Sequence, residues 1–215
     1  MEPNIDPNAD MEVPPLPETH LEDLLGQKLL KKKSSLTDKE KETRYSVEEC
    51  NLTVETAGCK FMLLYFSAGW CHPCMHFLQV LKDFYNEVNI DGKQIEVAFI
   101  TSDNEESGFR EHYAKMPWMT FSYSSKKHEE LKERFDIIGV PMVLVLDAES
   151  GFCITKKGRK DIFDIGTRAL HQWKERLPKA MEQAARNTYG ADVVNTMSRE
   201  REAEIKRKFD RGDDE

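Results

Sequence analysis

The 215-residue chain has no apolar run approaching the ~18 residues that a membrane-spanning helix needs. We therefore expect no membrane association. Residues 1–25 hold no lysine or arginine and no apolar block, so we expect no secretory leader there. Cysteine is scarce, five in all, and the number is odd. Without an export signal, that argues for a reducing compartment and against a disulfide framework. No Gly-x-Gly-x-x-Gly follows a strand-like segment, which excludes the common dinucleotide cradle. A zinc centre built on one cysteine pair needs two further ligands at recognisable spacing. No second Cys-x-x-Cys is present, so no metal is expected. Basic charge is in deficit, 31 Lys and Arg against 39 Asp and Glu, a net −8. That gives no footing for nucleic-acid binding.

The deficit is local. Residues 1–25 carry seven acids, and residues 199–215 carry six bases and seven acids, which leaves the middle of the chain neutral. Overall, 39% of residues are apolar and 33% charged, leaner and more charged than a usual globular domain, so part of the chain should stay outside the core. Five prolines (Pro3, Pro7, Pro14, Pro15, Pro17) fall in the first 18 residues without any periodicity. We expect residues 1–19 to be a disordered, acidic, Pro-rich tail. Residues 20–187 should form the folded body, and 188–215 a charged C-terminal tail with helical potential around Arg199 to Phe209.

Within the body, one stretch stands out, Trp70-Cys71-His72-Pro73-Cys74. Phe61 to Phe66 before it is a continuous apolar run of strand length. After it, Phe77, Leu81, Phe84, Tyr85 and Val88 form one apolar stripe at helical spacing. The cysteines thus sit where a buried strand turns into an amphipathic helix. Unpaired N–H groups and the macrodipole at a helix N-terminus favour negative charge, so Cys71 should ionise readily. The thiolate is the nucleophile. Cys74, one turn later, is placed to attack a mixed disulfide formed by Cys71. A c-type haem would need His after the second cysteine, where this chain has Met75. His72 beside the nucleophile favours the thiolate when charged, and His72→Pro is expected to lower the reduction potential of the pair. Cys50, Cys59 and Cys153 read as buried small residues. His20, His112, His128 and His171 read as surface residues. Trp118 and Trp173 read as core residues by default, with a place on the rim of the site as the alternative for Trp118, which follows Met116-Pro117.

Elsewhere the pattern predicts a helical turn over Leu21–Leu25 and an edge strand over Lys28–Lys33. A polar loop or hairpin follows over 34–46, and Val47–Lys60 is ambiguous. Strands are expected at Ile95–Ile100, Met119–Tyr123, Met142–Leu146 and Phe152–Lys156. Short helices are expected around Phe109–Ala114, with Asp103 as cap, and over Glu129–Phe135. A longer helical region, Lys160–Arg186, is interrupted near Gly166 and has Leu170, Trp173, Leu177 and Met181 on its core face. Strands alternating with helices imply an α/β fold around a mixed sheet.

This order, with Tyr65-Phe66-Ser67-Ala68-Gly69-Trp70-Cys71, Ser102-Asp103, Lys115-Met116-Pro117-Trp118 and Gly139-Val140-Pro141, resembles the thioredoxin superfamily. Within it, the stretches are similar to the tryparedoxin and nucleoredoxin family. Ile154 to Ile162 and Leu21 to Gly26 resemble its nucleoredoxin-like branch. The resemblance implies a three-layer α/β/α sandwich and a protein-disulfide reductase acting in cell redox homeostasis. Cys71 would be the nucleophile and Cys74 the resolving cysteine of a redox-active disulfide. Trp70 would shield the site, with His72 and Pro73 supporting it. Pro141 would be a cis-proline facing the disulfide, with Val140 and Trp118 contacting substrate. No bound cofactor is implied, only an external thiol or reductase as electron donor. The expected partners are disulfide-containing proteins, for a monomer in the cytoplasm and the nucleus. Nucleoredoxins also imply a second role, a redox-sensitive adaptor for a signalling partner such as Dishevelled in the Wnt pathway. Two departures are present: His72-Pro73 replaces the family's usual Pro-Pro, and Tyr65 stands where many thioredoxins have a buried acid.

Overall fold

Three apolar segments form the middle of one mixed sheet because strands buried on both faces read as unbroken hydrophobic runs. They are β3 (Phe61–Ser67), β4 (Ile95–Thr101) and β6 (Met142–Asp147). β3 runs parallel to β4 and antiparallel to β6, so Leu64 lies level with both Ala98 and Leu144. Around them, β1 (Lys28–Lys32), β2 (Val47–Asn51), β5 (Met119–Thr120) and β7 (Cys153–Thr155) complete seven strands in the order β2-β1-β5-β4-β3-β6-β7. The computed structural model describes residues 20–33 and 45–189. The expected tails at 1–19 and beyond 189, and most of the 34–46 loop, lie outside those residues.

Side chains alternate across the sheet and divide the core in two. Phe61, Leu63, Tyr65, Val97, Phe99, Val143 and Val145 point to one face. There they meet α3 (His72–Val88), α4 (Glu106–Tyr113), α6 (Gly158–Ile165) and the start of α7 (Arg168–Tyr189). Met62, Leu64, Phe66, Ala98, Ile100, Leu144 and Leu146 point to the other. That face is covered from α1 (Leu21–Leu25), α2 (Leu52–Thr56) and α5 (Lys127–Arg134) by Leu21, Leu24, Leu25, Leu52 and Leu131. The result is the thioredoxin-like α/β/α sandwich.

β1 is not the edge. It is paired along its length by β2, from Lys28 opposite Asn51 to Lys32 opposite Val47, and β2 takes the outer position. β2 was hard to read because only Cys50 of its five residues is buried, so it shows no apolar alternation. Its acids instead meet the β1 lysines: Glu49 pairs with Lys28 at 2.9 Å. The break between α6 and α7 falls at Gly166, whose φ of +56° a side chain would resist. Asp161 then ties the two helices, accepting from Trp173 Nε1 at 3.0 Å and from Arg176 at 2.5 Å. Leu170, Trp173 and Leu177 pack on the core as their spacing predicts.

The chain divides into a compact unit, Thr19–Lys179, and a second unit made of Met1–Glu18 and Ala180–Glu215. Of the second, only residues 180–189, the end of α7, are described, and Met181 falls there. Arg186 pairs with Glu182 one turn earlier in that segment.

Candidate active site

β3 delivers the chain to the redox pair. It ends at Ser67, and Ala68-Gly69-Trp70 turns it into α3. Cys71 is the N-cap, with extended backbone, and His72 and Pro73 open the helix. Proline suits this first turn because its missing N–H would find no intrahelical partner anyway. Cys71 and Cys74 are joined as a disulfide, with Cα atoms 5.2 Å apart. Cys74 N–H donates to Cys71 Sγ at 3.3 Å, the contact that favours negative charge on this sulfur once the bond opens. Cys71 is 5% exposed and Cys74 is fully buried, so an incoming sulfur meets Cys71 first. Across from it, the Val140–Pro141 bond is cis, and the Val140 carbonyl oxygen lies 3.7 Å from Cys71 Sγ.

The turn is fastened to the end of β4. Gly69 N–H donates to Asp103 Oδ1 at 2.7 Å, and Ser102 N–H donates to the Ser67 carbonyl at 2.8 Å. The indole N–H of Trp70, 65% exposed, donates to the Ser102 carbonyl at 3.2 Å. Asp103 is therefore not the cap of α4. That position is Glu105, and the Asp103 carboxylate serves the redox turn instead, its other oxygen held by Thr101 Oγ1 at 2.8 Å. Gly69 leaves little room for a side chain: a Cβ there would stand 3.3 Å from both Asp103 Oδ1 and His112 Cβ.

Beneath the turn lies a buried polar chain. Tyr65, where an acid might have stood, donates to the Cys74 carbonyl at 3.2 Å. Burial pushes its phenol up to about 12, so it stays a donor. Ser67 Oγ donates to the Tyr65 hydroxyl at 2.9 Å and lies 2.9 Å from His112 Nε2. With the serine proton so used, His112 carries its hydrogen on Nε2. Its Nδ1 has no partner among the described residues. The structure thus overturns the surface reading of His112, which is 1% exposed, and of His128, 4% exposed and held by Thr101 N–H and the Ser122 carbonyl. The local sequence signals burial of neither clearly: His112 has Phe109 three places before it and Tyr113 beside it, and His128 has no aromatic residue within four places.

Burial pushes His112 down to about 4, against 6.5 in an open chain. The sign follows: between those values the unfolded chain binds a proton that the folded protein refuses, so stability falls as pH drops from 6.5 toward 4. The expected loss is roughly 3 kcal/mol. His128, also lowered by burial, acts in the same direction. Urea unfolding at pH 7 and pH 4.5 should show the loss, and His112→Gln should lessen it. An unchanged slope in that variant would remove His112 as its source.

Trp118 does not line the rim. It is 2% exposed, packed edge-on against Tyr65 and Tyr85, because the turn after Pro117 sends it into the core. Burial also pushes the thiols of Cys50, Cys59 and Cys153 up to about 11, which leaves them poor nucleophiles. Cys59 and Cys153 are only partly buried. Beside Pro141 opens a groove lined by Met142, Lys156, Lys157, Arg159, Lys160, Asp164 and the exposed ring of Phe163. No helix among the described residues is long and apolar enough to cross a membrane.

Residues 58–152 match a family model described as thioredoxin-like. The chain is 32% identical over 145 residues to nucleoredoxin of Danio rerio, an alignment covering 66% of this chain and 34% of that protein. It is 33% identical over 115 residues to tryparedoxin of Trypanosoma brucei brucei, covering 53% of this chain and 79% of that one. Tryparedoxin I of Crithidia fasciculata superposes with a TM-score of 0.56 at 29% identity, over 68% of this chain and 92% of that structure. The chain thus spans about a third of the length of the nucleoredoxin it matches, and most of a tryparedoxin.

Proposed function

Because the chain belongs to the thioredoxin-like family of tryparedoxins and nucleoredoxins, we propose that it is a protein-disulfide reductase serving cell redox homeostasis. The observation that carries this reading is the asymmetry of the pair: Cys71 caps a helix and edges into solvent, while Cys74 is sealed behind it. In the reduced protein, the Cys71 thiolate attacks one sulfur of a substrate disulfide. The other sulfur leaves as a thiolate, taking a proton from solvent. A mixed disulfide now joins substrate to Cys71. Cys74, deprotonated, attacks Cys71 Sγ, releases the second substrate thiol and restores the internal disulfide. Two electrons have moved from the protein to the substrate. An external thiol or reductase returns them.

The cis-Pro141 segment offers the Val140 backbone to an extended substrate chain, and the exposed Trp70 ring next to Cys71 in sequence serves to shield the pair. The basic groove at Lys156, Lys157 and Arg159 favours partners bearing acidic residues close to their disulfide. We place the protein in the cytoplasm and nucleus, working as a monomer without a bound cofactor.

The test is dithiothreitol-driven reduction of a disulfide-bonded protein by the full chain. Turnover above the uncatalysed rate supports the reductase. No turnover, with the pair shown by thiol labelling to be reduced and reachable, overturns it and leaves the redox-sensitive adaptor in its place.

A further inference from the structure

His72 and His76 stand one turn apart on the exposed side of α3, with Nε2 atoms 3.1 Å from each other and ring centroids 4.6 Å apart. Neither belongs to the core, and the described contacts give His76 no other side-chain partner, so packing does not account for the convergence. Two neutral imidazoles at this distance share one hydrogen between them. The same gap suits a metal ion. A divalent cation about 2.0–2.1 Å from each nitrogen, with its ligands ~90–110° apart, needs nitrogens ~2.9–3.4 Å apart.

From this geometry we propose that His72 and His76 form a two-imidazole site for a borderline divalent transition cation, zinc or copper(II). A small rotation of both exposed rings turns their lone pairs onto one point, with the remaining hydrogens moved to Nδ1. Imidazole selects these ions over magnesium or calcium, which prefer oxygen. Among the described residues no group of three or more His, Cys, Asp or Glu is placed to hold a metal, so water completes the coordination. The helix N-terminus opposes a positive charge, which disfavours weak binders and leaves copper(II) ahead of zinc in the affinity order. A bound cation would put its charge one residue from Cys71, where it favours the thiolate. The site itself does not depend on the reductase reading.

The test uses the full chain with Cys71–Cys74 oxidised, so that this pair cannot ligate. Zinc chloride is titrated by calorimetry while the histidine ring signals are followed by NMR. Binding should shift the rings of His72 and His76, and His72→Gln and His76→Gln should each weaken it at least tenfold. His171→Gln, an exposed histidine elsewhere, should leave it unchanged. Copper(II) should bind more tightly than zinc at the same two residues. Zinc binding that survives His76→Gln undiminished, or no binding at millimolar zinc, overturns the proposal.

Discussion

Cys71→Ser is expected to bring dithiothreitol-driven reduction of a protein disulfide down to the background of dithiothreitol alone. The drop should be on the order of 10³-fold or more, because a serine hydroxyl is not ionised near neutral pH and is a far weaker nucleophile toward sulfur. The geometry makes the effect specific to this cysteine. Its sulfur caps α3, accepts the Cys74 N–H and faces the Val140 carbonyl, whereas Cys74 has no exposed surface. Cys74→Ser should behave differently. It keeps the attacking thiolate but has nothing to expel the substrate, so a mixed disulfide on Cys71 should accumulate. Non-reducing mass spectrometry reads that adduct directly. Turnover that persists in Cys71→Ser, or an adduct found on Cys74 in place of Cys71, would reverse the assignment of roles.

Trp173→Ala should be the most damaging single change to stability. The indole is fully buried, edge-on to Phe61 at 5.8 Å and to Phe84 at 5.7 Å, and so joins α7 to β3 and α3. Removing a large buried aromatic costs about 3–5 kcal/mol in lost burial and residual cavity. Its N–H also serves the Asp161 carboxylate, which would keep only Arg176 as a partner and add about 1–3 kcal/mol. For a body of this size, the sum lowers Tm by roughly 10 °C or more. Trp173→Phe separates the two contributions. It retains most of the packing and loses only the hydrogen bond, so its loss should be a small fraction of that for alanine. Chemical denaturation of the three proteins checks this. Equal losses for Phe and Ala would mean that the Asp161 contact, not packing, holds α7.

The redox pair illustrates what is legible without coordinates. A continuous apolar run, a Cys-x-x-Cys and a stripe at helical spacing are all local, and the N-terminal position of Cys71 follows from their order alone. The middle strands were equally plain, since burial on both faces leaves no polar alternation to confuse them. β2 was not, because an outer strand with four of its five residues exposed carries no apolar signature. Asp103 was misplaced for a related reason: an Asp shortly before a helix looks like a cap, and only the fold brings Gly69 close enough to claim its carboxylate.

His112 shows the same limit from inside the core. A histidine between an acid and an aromatic, Glu111 and Tyr113, on a short helix suits surface and core alike, and α4 alone does not reveal that the Ser67 hydroxyl waits beneath it. Trp118 was open between core and rim, since a tryptophan after a proline near the site suits both, and the fold placed it in the core. Pattern and spacing thus carried the alternation of strands with helices and the strand–turn–helix junction that places Cys71 at a helix start, because each depends on neighbours within a turn or a strand. The company of Tyr65, Ser67, His112 and Asp103 around that junction came only with the tertiary structure. Contacts between residues 34 and 45 places apart are chosen by sheet register and helix docking, and neither is written in any local stretch.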